Sequence, residues 1–188
     1  MSRARPASGL FADPRPVEAL GDLFANIWQI CWVTSDFDRG VELLRDRFGI
    51  EHFTELPTDV ATFLKGEEPV DCEVRLGMGA RGGMIVELIE PVAGEVDFYR
   101  RFLPADGSFG LRLHHLASSV QLGDDVWQSL TELLAAHGMR FDYTVLIPDR
   151  VRAGYVDMTA ELGHFLEICQ LQPTDTEFFS GLLAGANA

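Results

Sequence analysis

Apolar and polar positions along this chain repeat in two blocks built to one plan. In Ile27–Thr34, Ile27, Gln29, Cys31 and Val33 fall on one face of a predicted strand; Trp28, Ile30, Trp32 and Thr34 fall on the other. Asp36 and Asp38 then supply capping and first-turn acids. Val41, Leu44 and Phe48 recur at helical spacing, and Gly49 is placed to stop the helix. Strands are predicted near 51–56 and 71–78, with a glycine-rich turn over 77–83 leading into a strand over 84–89 that Pro91 ends. The second block repeats this order. A strand over 111–120 precedes Asp124 and Asp125. A helix carries Val126, Leu130, Leu133 and Leu134 and stops at Gly138, and strands near 140–146 and 154–159 lead to His164–Leu171.

A long-period repeat of this kind predicts two copies of one unit packed together. The units are βαβββ modules, 26–91 and 111–172, in an α+β fold. Residues 1–25 read as an irregular arm, and 92–110 as a connector with a short helix over 96–103. Residues 173–188 read as a tail whose helix is started by a capping box from Thr174 to Glu177.

With 188 residues, 47% of them hydrophobic, the chain is long enough to bury a substantial core. A net charge of −14 argues against a nucleic-acid partner or an anionic membrane surface. The three cysteines, Cys31, Cys72 and Cys169, are widely spaced and form neither a disulfide pattern nor a zinc knuckle. Together with an opening segment that lacks an apolar signal core, they predict a reducing, cytoplasmic setting. No apolar run reaches the ~18 residues needed to cross a bilayer.

The chemistry lies at matching points of the repeat. Gln29 and His115 occupy the two opening strands, and Glu87 and Glu167 the two closing strands. Each sits on an otherwise apolar face. Glu87 stands beside Ile85 and Ile89, Glu167 beside Phe165, Cys169 and Leu171, Gln29 between Ile27 and Cys31, and His115 between Leu113 and Ala117. A carboxylate on such a face is costly unless it is paired, protonated or bound to a cation. One amide oxygen, one imidazole and two carboxylates suit a divalent metal ion (Zn, Ni, Co, Mn or Fe). The neighbouring His114 is expected on the opposite face, with Arg112 and Leu116. His164 reads as a rim residue, and His52 and His137 as surface residues. Cys31, Phe53, Phe109, Tyr155, Phe165 and Cys169 are candidate pocket-lining groups, and Arg112, Arg150 and Arg152 candidate grips for an anionic substrate end.

These residues, with the stretches QICWVTSDFDRGVELLRDRFG, MIVELIEP, LRLHHLASSV and GYVDMTAELGHFLEICQL, resemble the vicinal oxygen chelate superfamily, and in particular its glyoxalase and methylmalonyl-CoA-epimerase branch. The resemblance spans residues 27–171. It implies an open half-barrel of eight strands around a metal held by Gln29, Glu87, His115 and Glu167. It also implies a homodimer, and a lyase, isomerase or epimerase that moves a proton next to a carbonyl of a substrate chelated through neighbouring oxygens. In that reading Glu167 is the base and Glu87 its partner. The opening ligand of the epimerase-like branch is more usually His, so Gln29 is a departure. A metal-independent small-molecule-binding protein of the resistance type and an iron-dependent dioxygenase remain as alternatives.

Overall fold

The computed structural model describes residue 11 and residues 13–186. Most of the expected arm's first half, and the last two residues of the expected tail, lie outside the described residues. A 3₁₀ segment, Leu20–Asn26, leads into β1 (Ile27–Thr34) and α1 (Phe37–Phe48). Five strands follow, β2 (Thr54–Leu56), β3 (Thr62–Lys65), β4 (Glu68–Val70), β5 (Cys72–Arg81) and β6 (Met84–Gly94), and then the short helix α2 (Asp97–Arg100). The chain continues through β7 (Leu111–Ser119), α3 (Asp124–Ala136), β8 (Tyr143–Ile147), β9 (Val151–Met158) and β10 (His164–Leu171) to α4 (Pro173–Gly185).

Local chemistry sets the helix ends. The Asp36 carboxylate accepts from the Arg39 N–H at 3.1 Å, and Gly49 adopts the left-handed conformation, its N–H returning to Arg45 and Leu44 carbonyls. The expected capping box at the last helix does not form. Pro173 occupies the first turn, Gln172 precedes it without a side-chain cap, and Asp175 turns inward to an ion pair with Arg150. Phe48, expected on the buried stripe of α1, is 62% exposed.

All strands join one strongly curled α+β sheet in the order β2-β5-β6-β1-β7-β10-β9-β8-β3-β4. Among the described residues this is ten strands, where eight were expected. The additional pair is the β3–β4 hairpin, whose strands are short, largely polar and turned by Gly66 at φ 62°. They therefore carry little of the alternation that marks a strand in sequence. The hairpin leaves the first half to pair β3 with β8 of the second. Residues 57–61 alone connect β2 at one end of the sheet to β3 near the other, and so short a link reaches about 20 Å at most. The sheet must curl into an open half-barrel to satisfy that tether.

The helices α1 and α3 cover the outer face. Ile30, Trp32, Val86 and Leu88 meet Phe37 and Leu44 of α1; Val156, Leu166 and Ile168 meet Leu130 and Leu134 of α3. The inner face holds Cys31, Val33, Ile89, Tyr155 and Phe165 in one cluster and Ile85, Ala117, Ala153 and Cys169 in another.

Strict alternation fails at two points where β1 meets β7. From Ile27 to Gln29 two steps on β1 oppose one step on β7, which makes Trp28 an extra residue. From Leu113 to His115 two steps on β7 oppose one on β1, which makes His114 extra. Each is a β-bulge, which re-aims a side chain. Trp28 thus leaves the outer face and packs with Phe11, Met78 and Phe179. His114 likewise leaves the outer face, which Leu116 keeps, and enters an inner aromatic cluster with Phe98, Tyr99, Phe102 and Phe165.

Candidate metal centre

The four central strands β6-β1-β7-β10 lie side by side, so one inward position from each can meet. β1 and β6 are parallel, as are β7 and β10, and the two pairs meet antiparallel at β1–β7. This arrangement brings Gln29, Glu87, His115 and Glu167 together. His115 Nε2 lies 3.2 Å from Glu87 Oε2 and 3.1 Å from Glu167 Oε2. Gln29 Nε2 donates to Glu87 Oε2 at 3.1 Å and stands 3.5 Å from His115 Nε2. All four are buried, with exposures from 0% to 6%.

Their electrostatics are those of an acidic, dehydrated cluster. Burial alone would lower the His115 pKa, but the charges and hydrogen bonds of Glu167 and Glu87 outweigh it and raise it to about 9. Burial favours the neutral form of Glu167, and the opposing pull of His115, with hydrogen bonds from Tyr155 and Cys169, holds its pKa below the usual value. Burial, then the carboxylate charge of Glu87, pushes the Cys31 thiol well up; burial and Glu167 do the same to Cys169. Both are small neutral neighbours of the acids.

The donor set fits a divalent cation. Two buried carboxyl groups share one imidazole, and among the described residues no Lys or Arg forms an ion pair with either acid. A dication at this point would balance both charges, and the Gln29 amide, which presents its NH₂ to Glu87, offers its oxygen after a half-turn.

Cys31, His114 and His115 also bring three possible metal ligands within 4.8 Å of one another. Their geometry is that of a hydrogen bond. The Nδ1 atoms of His114 and His115 are 2.8 Å apart. Two metal–nitrogen bonds of about 2.0–2.1 Å at a tetrahedral angle need roughly 3.4 Å.

The acids open onto a mostly apolar cavity of about 130 Å³. Trp28, Met78, Tyr99, Tyr155 and Cys169 line its walls, and Phe178 and Phe179 of α4 cover it. Arg150 and Asp175 stand at its edge, joined at 2.6 Å. Of the expected pocket residues, Tyr155 and Cys169 border the cavity, while Cys31 lies behind Glu87 and Phe165 behind His114. Phe53 and Phe109 are elsewhere. Phe53 packs at the outer cluster under α1, and Phe109 lies under the Arg39 guanidinium. Both sit in loops, where alternation gives no facing. Arg152 pairs with Asp124 at the surface, and Arg112 is exposed. His164 is buried at the start of β10, its Nδ1 at 2.7 Å from its neighbour's carbonyl, while His52 and His137 are exposed.

Sequence reasoning missed Trp28, Tyr99, His114 and the covering phenylalanines of α4. Only the doubled histidine carried a signal, since one of two adjacent strand residues must face away unless a bulge intervenes.

This architecture, paired βαβββ units curled around a shared inner site, is a fold shared with solved structures. No family model and no curated protein matches the sequence. Among solved structures, the methylmalonyl-CoA epimerase from Mycobacterium tuberculosis is similar to it with a TM-score of 0.56 at 18% identity, over 80% of this chain and 91% of that one. Also similar are a single-residue variant of the Streptomyces coelicolor methylmalonyl-CoA epimerase in complex with 2-nitronate-propionyl-CoA (TM-score 0.46, 19% identity, 76% and 94% covered), and a methylmalonyl-CoA epimerase with methylmalonyl-CoA and NH4+ (0.47, 18%, 78% and 97%). Among the described residues, no helix is long and apolar enough to cross a membrane.

Proposed function

We propose that the protein is a metal-dependent enzyme that moves a proton on a carbon next to a carbonyl. Gln29, Glu87, His115 and Glu167 would hold the ion. The observation that carries the reading is the meeting of these four buried side chains, three of which, Gln29, Glu87 and Glu167, border a mostly apolar cavity. When bound, a divalent ion would supply Lewis-acid stabilisation of the negative charge that develops on substrate oxygen.

The chain's own groups supply the rest. Glu167 takes the proton from the carbon and returns it to the same or the adjacent carbon, acting as general base and then general acid. The Tyr155 hydroxyl, close to Glu167, favours the charged form of that carboxylate. Glu87, tied to Gln29, faces the same imidazole and is the second proton carrier. The cavity walls exclude water from the carbanion and select a small, largely apolar reacting end. Short-chain acyl thioesters of the kind the similar epimerases bind are the first substrates to test, together with small free 2-oxo and 2-hydroxy compounds.

The experiment is deuterium wash-in. The protein, loaded with zinc, cobalt or manganese, is incubated in D₂O with such compounds, and exchange at the α-carbon is followed by NMR. Catalysed exchange that is lost on chelation supports the reading. Exchange that survives both chelation and Glu167→Gln contradicts it.

A further inference from the structure

The bulge in β7 turns both imidazoles of the His114–His115 pair inward, and hydrogen bonding then orders them. His114 Nε2 is 3.2 Å from the backbone carbonyl of Phe98, in α2 of the connector. A carbonyl only accepts, so this nitrogen carries the proton. A neutral His114 then presents a lone pair at Nδ1, and that atom faces His115 Nδ1 at 2.8 Å. His115 must therefore donate from Nδ1. The surroundings keep His114 in this orientation. It has no exposure and is packed against Phe98, Tyr99, Phe102 and Phe165 at ring-centroid distances of 4.7, 4.8, 5.0 and 5.3 Å.

We infer that His114 is a positioning residue: the Phe98 carbonyl–His114–His115 chain fixes the His115 ring with a proton on Nδ1 and Nε2 directed between Glu87 and Glu167, where a bound cation would take the place of the Nε2 proton. The inference rests on the metal reading of the site and adds a residue and a partner to it. Imidazole ligands that donate their other N–H to a fixed acceptor are better oriented and more basic. Here the acceptor is a second imidazole, anchored in turn to the connector between the two halves. The connector's helix thereby helps to set the metal site although it contributes no ligand.

The test uses the full chain loaded with Zn²⁺ and labelled with ¹⁵N in histidine. A nitrogen–nitrogen coupling across the hydrogen bond, from protonated His115 Nδ1 to His114 Nδ1, is expected. Zn²⁺ affinity is then compared by competition with a chromophoric chelator. His114→Phe fills the aromatic cluster but accepts nothing, and should weaken Zn²⁺ binding about 10–100-fold. His114→Asn, whose amide oxygen can take the place of Nδ1 as acceptor, should restore most of it. If the unaltered chain binds Zn²⁺ but shows no such coupling, or if His114→Phe binds as tightly as the unaltered chain, the positioning role is overturned while the metal reading stands. If the unaltered chain binds no divalent ion, the metal reading itself fails and takes this inference with it. Should His114→Phe not fold, the coupling and the Asn variant decide.

Discussion

Removing any metal from this protein should make its stability depend on pH in a direction set by His115. In the metal-free chain the imidazole is flanked by Glu87 and Glu167 at 3.2 and 3.1 Å, and its pKa is raised from 6.5 to about 9. A raised pKa means that the folded state holds the proton more tightly than the unfolded chain does. The resulting stabilisation is full below the unfolded value and fades as pH rises through the folded one. Each tenfold change in the proton equilibrium corresponds to about 1.4 kcal/mol, so the full effect is about 3 kcal/mol, of which roughly 2 kcal/mol is gone by about pH 8. Buried Cys31 and Cys169 act in the same direction at higher pH, so the informative window lies below the range where free thiols ionise. The assay is urea unfolding of the chelator-treated protein at several pH values, beside Glu167→Gln and beside the zinc-loaded chain. The metal-free protein should lose stability across the window. Glu167→Gln should lose less, because one of the two charges that hold the proton is gone, and the zinc-loaded chain should not follow the decline. A metal-free protein whose stability is flat from about pH 6 to about pH 8, or a Glu167→Gln variant with the same slope, would refute the reasoning.

Three further outcomes follow from the same geometry. Glu167→Gln should reduce α-proton exchange by about 10²-fold or more, since it removes the group proposed to carry the proton, with deuterium wash-in as the measure. Asp175→Ala should destabilise the protein by about 1–3 kcal/mol in thermal or urea unfolding, because Asp175 is 1% exposed and its partner Arg150, half exposed, would lose both bonds that tie α4 across the cavity. Gly154→Ala would place a methyl group 2.4 Å from the Phe141 ring, which is stacked on Trp127, and should cost about 1–3 kcal/mol in the same assay.

The duplicated plan was legible in sequence because each half alternates apolar residues over long strands. Glu87 and Glu167 stand out only against such faces. Ile85 and Ile89 do line the inner face beside Glu87 while Val86 and Leu88 meet α1, as alternation requires. Three things escaped. The β3–β4 hairpin is too short and polar to register, and its pairing with β8 is a long-range contact that no local pattern encodes. The bulges at Trp28 and His114 break the period at two single residues, and only cross-strand register reveals them. The roof of the cavity depends on where α4 docks. Phe178 and Phe179 are plainly apolar in sequence but carry no sign of their target, and the Arg150–Asp175 pair that fixes the helix joins residues far apart in the chain.

The central claim is that an amide, an imidazole and two carboxylates form a binding site for one kind of ligand, a divalent cation. Elemental analysis of protein prepared without a histidine tag, followed by metal titration of the chelator-treated chain and of His115→Ala, tests it most directly. The account predicts stoichiometric divalent metal in the unaltered chain and its loss in His115→Ala. A chain that neither carries nor takes up a divalent ion, or a His115→Ala variant that binds one undiminished, would contradict it.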